Sequence, residues 1–109
     1  MSDDIEVLHE PERSRWVLKD GERVIGIERY VDHGEQRIFF HTEVAKEHGG
    51  RGLAGRLVRA AVEDVVASGS AVVPVCPYVT KWLERHPEHA AHVVAPTPEH
   101  HDRVRAHLS

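Results

Sequence analysis

The repeat of the hydrophobic pattern changes once along this chain, and it changes at a cluster of glycines. Up to residue 44 the apolar positions fall in short runs of branched and aromatic residues with a period near two, as in β-strands. After residue 52, Leu53, Leu57, Val58, Ala61, Val62 and Val65 recur at helical spacing, with Arg56, Arg59 and Asp64 falling elsewhere. Between the two lies "HTEVAKEHGGRGLAGRLVRA", residues 41–60, in which Gly49, Gly50 and Gly52 crowd into four positions. Such a pattern demands strand, loop and helix in that order.

The strand half reads in detail. "IEVLHE" (5–10) and "RWVLKD" (15–20) are separated by Pro11 and charged neighbours. Asp20 and Gly21 form a DG hairpin signal, because a two-residue primed turn needs positive φ, and "ERVIGIERYV" resumes beyond it. A second turn at His33 and Gly34 leads to "QRIFFHTEV" (36–44). Simple alternation puts Ile38, Phe40 and Thr42 on one face and Phe39, His41 and Glu43 on the other. These runs predict an antiparallel meander of about four strands.

The helix from residue 51 is expected to end at Ser68, with Gly69 as a left-handed cap. "AVVPVC" (71–76) is a continuous apolar run too short for a helix, hence a buried strand. Joined to 36–44 through a helix, it should lie parallel to that strand, giving a β-α-β unit. Val79, Trp82 and Leu83 suggest a further short helix, and Thr97 before Pro98 an N-cap and first helical residue. The fold class is therefore α/β (α+β), with residues 1–109 as one domain and 91–109 as a C-terminal helical extension.

Composition narrows the function. A formal net charge of −4 over 109 residues gives no broad basic surface, which argues against a nucleic-acid partner. No stretch approaches the ~18 apolar residues of a membrane span, and the N-terminus lacks the features of a signal peptide, so a cytoplasmic protein is expected. Cys76 is the lone cysteine and cannot form an internal disulfide. The glycine loop carries the strongest chemical signal. A glycine-rich turn opening a helix exposes a row of backbone N–H groups beside the positive end of the helix dipole, a place that binds phosphate oxygens; on glycine content alone, the alternative is that Gly49, Gly50 and Gly52 merely make a flexible turn before the helix. Lys46, His48, Arg51 and Arg56 could add cationic contacts. The loop lacks the GK[ST] ending of a Walker motif and the GxGxxG spacing of a dinucleotide fold.

These segments, "HTEVAKEHGGRGLAGRLVRAAVEDV" and then "AVVPVCPYVTKWLERHPEH", resemble the minimal single-domain branch of the GNAT superfamily of acetyl-CoA-dependent N-acetyltransferases, over roughly residues 14–92. That superfamily's acyl-CoA motif is [RQ]xxGx[GA]. Gly52 and Ala54 match it, whereas Gly49 stands where Arg or Gln is expected. The resemblance implies a GNAT-like mixed sheet and acetyl-CoA as cofactor, held by Val44, Gly49, Gly50, Arg51, Gly52, Leu53, Ala54 and Gly55. The N-terminal helices that help form the acceptor site in larger members are not expected here, and the amine acceptor, a small molecule or a protein, is not identified by the sequence.

Amine acylation needs removal of a proton from the amine, stabilisation of an oxyanion and protonation of the leaving thiolate. Glu43 and His41, just before the loop, are candidate bases, with a solvated or core-facing pair as the structural alternative. Cys76 falls where the resemblance places the acyl group, and could accept the acetyl group or protonate the sulfur of CoA; the alternative is a small core residue. Tyr78 is the competing acid. His86, His89 and His92 precess around a helix and match no zinc pattern, so no metal is expected and solvated surface histidines are the reading. The functional expectation is an acetyl-CoA-dependent N-acetyltransferase; the alternative is a CoA-binding module with little or no transfer.

Overall fold

The computed structural model describes residues 5–46 and 52–109. Five strands form one sheet in chain order: β1 (Ile5–Glu10), β2 (Arg15–Asp20), β3 (Arg23–His33), β4 (Gln36–Val44) and β5 (Ala71–Pro74). The first four make the expected antiparallel meander, and β5 lies parallel to β4. A 3-10 turn at Pro11–Arg13 joins β1 to β2. In the β2–β3 hairpin Gly21 takes the left-handed conformation (φ 62°) and Glu22 does not. Glycine thus occupies the first central position of the turn, the one place where this hairpin needs positive φ.

α1 (Leu53–Ala67) carries β4 across to β5, and its stripe of Leu53, Leu57, Val58, Ala61, Val62 and Val65 is buried. The predicted C-terminus holds: Ser70 N–H reaches Val65 O (3.1 Å) past Gly69, which closes the helix. Leu53 and Leu57 pack with Ile5, Leu18 and Ile25 from the meander, while Val58, Val62 and Val65 pack with Tyr30, Phe39, Val72 and Val79. α2 (Pro77–Glu84) continues this layer through Val79, Trp82 and Leu83. Residues 87–92 form a 3-10 turn, after which Val93 bridges Val72 and Val94 N–H donates to Val72 O (2.9 Å).

α3 (Pro98–Leu108) begins as predicted at Thr97 and Pro98. It covers the other face at one end, where Val104 joins Val31, Ile38 and Val73; Leu108 is exposed. The histidine expectation changes here. Pro87 folds the chain back, so His86 and His89 stack on Trp82 (ring centroids 3.8 and 5.9 Å) rather than standing free in solvent. Among the described residues no group of three His, Cys, Asp or Glu side chains could hold a metal ion, and no helix is long and apolar enough to cross a membrane.

Candidate functional site

The site is built where β4 and β5 part. Their ladder runs from Gln36↔Ala71 to Phe39↔Pro74 and stops, while β4 continues to Val44. The cause is visible at Phe39 O, which accepts from both Val75 N–H (3.0 Å) and Cys76 N–H (2.9 Å). Two amides on one carbonyl end the regular pairing, and Pro77 starts α2 directly after. The strand expected over 71–76 is accordingly β5 over Ala71–Pro74, and Cys76 is the extended N-cap residue of α2 (φ −71°, ψ 127°).

A bulge sets which side chains reach this point. Tyr30 pairs with Phe39 and Arg29 with His41, so Phe40 is an extra residue in β4. The alternation expected from the sequence holds as far as Phe39 and reverses after Phe40. Thr42 therefore shares the helix-covered face with Phe39, and Val44 packs beside Leu53 and Leu57. His41 and Glu43 take the opposite face, where His41 Nε2 and Glu43 Oε1 are 3.1 Å apart and exposed.

On the covered face, Cys76 Sγ lies 3.1 Å from Thr42 Oγ1, and Thr42 Oγ1 donates a short hydrogen bond to Glu28 Oε1. Cys76 is 6% exposed, within a cluster that includes Tyr30, Phe39, Val58 and Val79. Glu28 is fully buried, and burial pushes its carboxyl up to about 8 against the opposing effect of the Thr42 bond. Sequence reading missed Glu28, which looks like the polar half of an alternating strand. The available signal was its parity with Tyr30, two residues on and pointing into the core.

α1 opens at Gly52, whose left-handed backbone (φ 72°, ψ 12°) is one that side-chain-bearing residues adopt at a cost. Among the described residues no side chain caps this end, and its first turn holds no acidic residue, so its amides stand at the positive end of the helix dipole with no carboxylate beside them. Tyr78 is exposed, and its hydroxyl lies 4.0 Å from where a Cβ on Gly55 would stand. Thus Tyr78 lies against α1's first turn, and Cys76 precedes Tyr78 by two residues at the start of α2. Arg56 is used structurally, with Nη2 on Ile5 O (3.3 Å), and Lys46 is exposed. Gly49, Gly50, Arg51 and His48 lie outside the described residues.

Three comparisons bear on this arrangement. The family described as GCN5-related N-acetyl-transferase matches residues 15–93. Among solved structures, a GCN5-like protein from Staphylococcus aureus superposes with a TM-score of 0.65 at 20% identity, covering 92% of this chain and 98% of that one, and so shares the fold. An IAA acetyltransferase from Bacillus cereus aligns at 26% identity over 56% of this chain and 43% of its own, with a TM-score of 0.49. A comparison with the curated proteins gives no match. By the family match over residues 15–93, the chain belongs to the GCN5-related N-acetyltransferases.

Proposed function

We propose that this N-acetyltransferase uses acetyl-CoA, with the pyrophosphate on the glycine loop and the first-turn amides of α1, and passes the acetyl group to an amine of a small molecule or a protein. The observation that carries the reading is the end of the β4–β5 ladder at Phe39 O, where Cys76 closes the pairing and opens α2, whose Tyr78 lies against the first turn of α1. Beyond Phe39 the β5 side of β4 has no strand partner among the described residues, and an extended pantetheine arm has the amides and carbonyls needed to pair with it.

In this reading Cys76 is the nucleophile. Cys76 enters as the thiolate, its own proton lost beforehand: a bond forms between Sγ and the acyl carbon, the bond from that carbon to the CoA sulfur breaks, and Tyr78 gives its proton to the departing thiolate, leaving a phenolate that regains a proton from solvent. α1 and α2 fill one side of the gap, so the amine approaches from the face that carries His41 and Glu43. That exposed pair removes the amine's proton as it attacks.

Calorimetry with CoA tests the binding step, and CoA release across a panel of amines tests the transfer. Binding with no release on any amine would leave the alternative, a CoA-binding module. Incubation with acetyl-CoA alone should leave an acetyl adduct on Cys76 by mass spectrometry. If no adduct forms, yet Cys76→Ala lowers turnover more than CoA affinity, Cys76 donates a proton instead. Unchanged turnover in Cys76→Ser on an active acceptor would return it to the core.

A further inference from the structure

Glu28 has a chemical position that its structural setting does not require. It sits midway along β3 facing α1 and α2, paired in register with Trp16 on one side and Thr42 on the other. Its Oε1 accepts from Thr42, whereas its Oε2 and the neighbouring Trp16 Nε1 are buried with no hydrogen-bond partner among the described residues. Among the described residues no cation pairs with it. Replacing it by an apolar residue would remove an orphaned oxygen, so the side chain has no purely stabilising rationale.

The line of atoms from Glu28 leads to one place. Thr42 Oγ1 has a single proton, and when that proton goes to Glu28 the contact to Sγ must be made by the Cys76 thiol as donor. Reversed, the protonated Glu28 donates to Thr42 and Thr42 donates to a Cys76 thiolate. The two arrangements contain the same atoms and one negative charge. To pass from the first to the second, the S–H bond breaks with its electron pair left on sulfur. The proton moves to Thr42 Oγ1 while Thr42's own proton moves to Glu28 Oε1.

We propose that Glu28 and Cys76 share one labile proton through the Thr42 hydroxyl, which makes Glu28 a positioning residue that governs when the Cys76 thiolate forms. The assignment deepens the reading of Cys76 as the acyl acceptor, but the shared proton belongs to the resting protein. Burial raises Glu28 to about 8, so this carboxyl can carry a proton in the neutral range and is available as the far end of the chain.

Among the described residues the surroundings leave the pair to itself. From β3, Tyr30 faces the same cluster with its phenol pKa raised by burial, and His9 from β1 bonds to Tyr30 Oη (2.6 Å) with its own pKa lowered by burial. Arg37 from β4 lies over the Tyr30 ring (3.9 Å to the centroid) and is held by Asp32 and Asp64. From α1 the neighbours are apolar, Val58, Ala61 and Val62, and from α2 they are Val79 and the outward Tyr78.

The test needs no acetyl-CoA, so a failure of the proposed function leaves it intact. The Glu28 carboxyl is followed by carbon NMR against pH, and Cys76 by its rate of alkylation with iodoacetamide. A shared proton gives each group two steps, separated by about one pH unit or more. Cys76→Ser should reduce the carboxyl curve to one step, Glu28→Gln should reduce the alkylation curve to one, and Thr42→Val should uncouple both while keeping both groups. A carboxyl curve of one step with the same midpoint in the parent and Cys76→Ser would overturn the proposal. Should Glu28→Gln lose its fold by circular dichroism, the Cys76→Ser and Thr42→Val curves decide alone.

Discussion

The two halves of β4 are built for different ends. Residues 36–39 lie between β3 and β5, with Ile38 and Phe39 fully buried on opposite faces. Residues 40–44 keep β3 but lose β5, and their sequence turns polar: His41, Thr42, Glu43. The break coincides with the bulge at Phe40 and with the doubly used carbonyl of Phe39. One strand thus anchors the core at one end and leaves a backbone edge open at the other, and the anchored half is what holds the open half in place.

The contrast is most strongly tested at Phe39. Phe39→Ala should cost about 3–5 kcal/mol, seen as a lower urea midpoint, because it empties the centre of the α1–β4–β5 core. A loss no larger than that of a surface position would erase the distinction between the halves.

The next effect is one of pH and concerns the buried neighbour of the open half. Burial raises Glu28 from an ordinary 4.5 to about 8, so the folded protein keeps a proton that the unfolded chain gives up. The cost of burying it is absent below pH 4.5, where both states hold the proton, grows by on the order of 1 kcal/mol per pH unit between these values, and is complete above 8. Urea unfolding across that window should show stability falling with pH, and Glu28→Gln should flatten the slope.

At the start of α1, Gly52→Val should weaken CoA binding at least about tenfold by calorimetry, while the left-handed backbone makes the substitution cost only about 1–3 kcal/mol of stability. Undiminished affinity would remove this turn from the cofactor site. The smallest effect is expected on the open face. Glu43→Gln should change stability by less than about 0.5 kcal/mol in urea, since the His41–Glu43 pair is exposed, yet lower turnover on an accepted amine.

Much of this architecture was legible because its signals are local. The Asp20–Gly21 turn, the stripe from Leu53 to Val65 and the Thr97–Pro98 start each need only their neighbours in sequence. The faces of His41 and Thr42 were not legible, since nothing in "IFFHTEV" marks Phe40 as the extra residue; the bulge is settled by pairing with Arg29 and Tyr30. Glu28 was hidden for a related reason. Its burial comes from elements that arrive more than twenty residues later in the chain. Cys76 could be singled out as a lone thiol at the end of an apolar run, but its link to Thr42 depends on the reversed alternation that the bulge creates.

The small bridge between Val72 and Val93 has a consequence for how copies of this protein meet. An unpaired outer strand is a template on which another chain can polymerise. Here Val94 donates to Val72 O on the outward side of β5, so the chain's own later segment occupies that template. The other outer strand, β1, is six residues long, runs into Pro11 and carries Glu6 and Glu10. Apart from the short open edge of β4, growth of the sheet by addition of a second molecule is thereby directed to β1, where the acidic side chains of the two copies would be forced together.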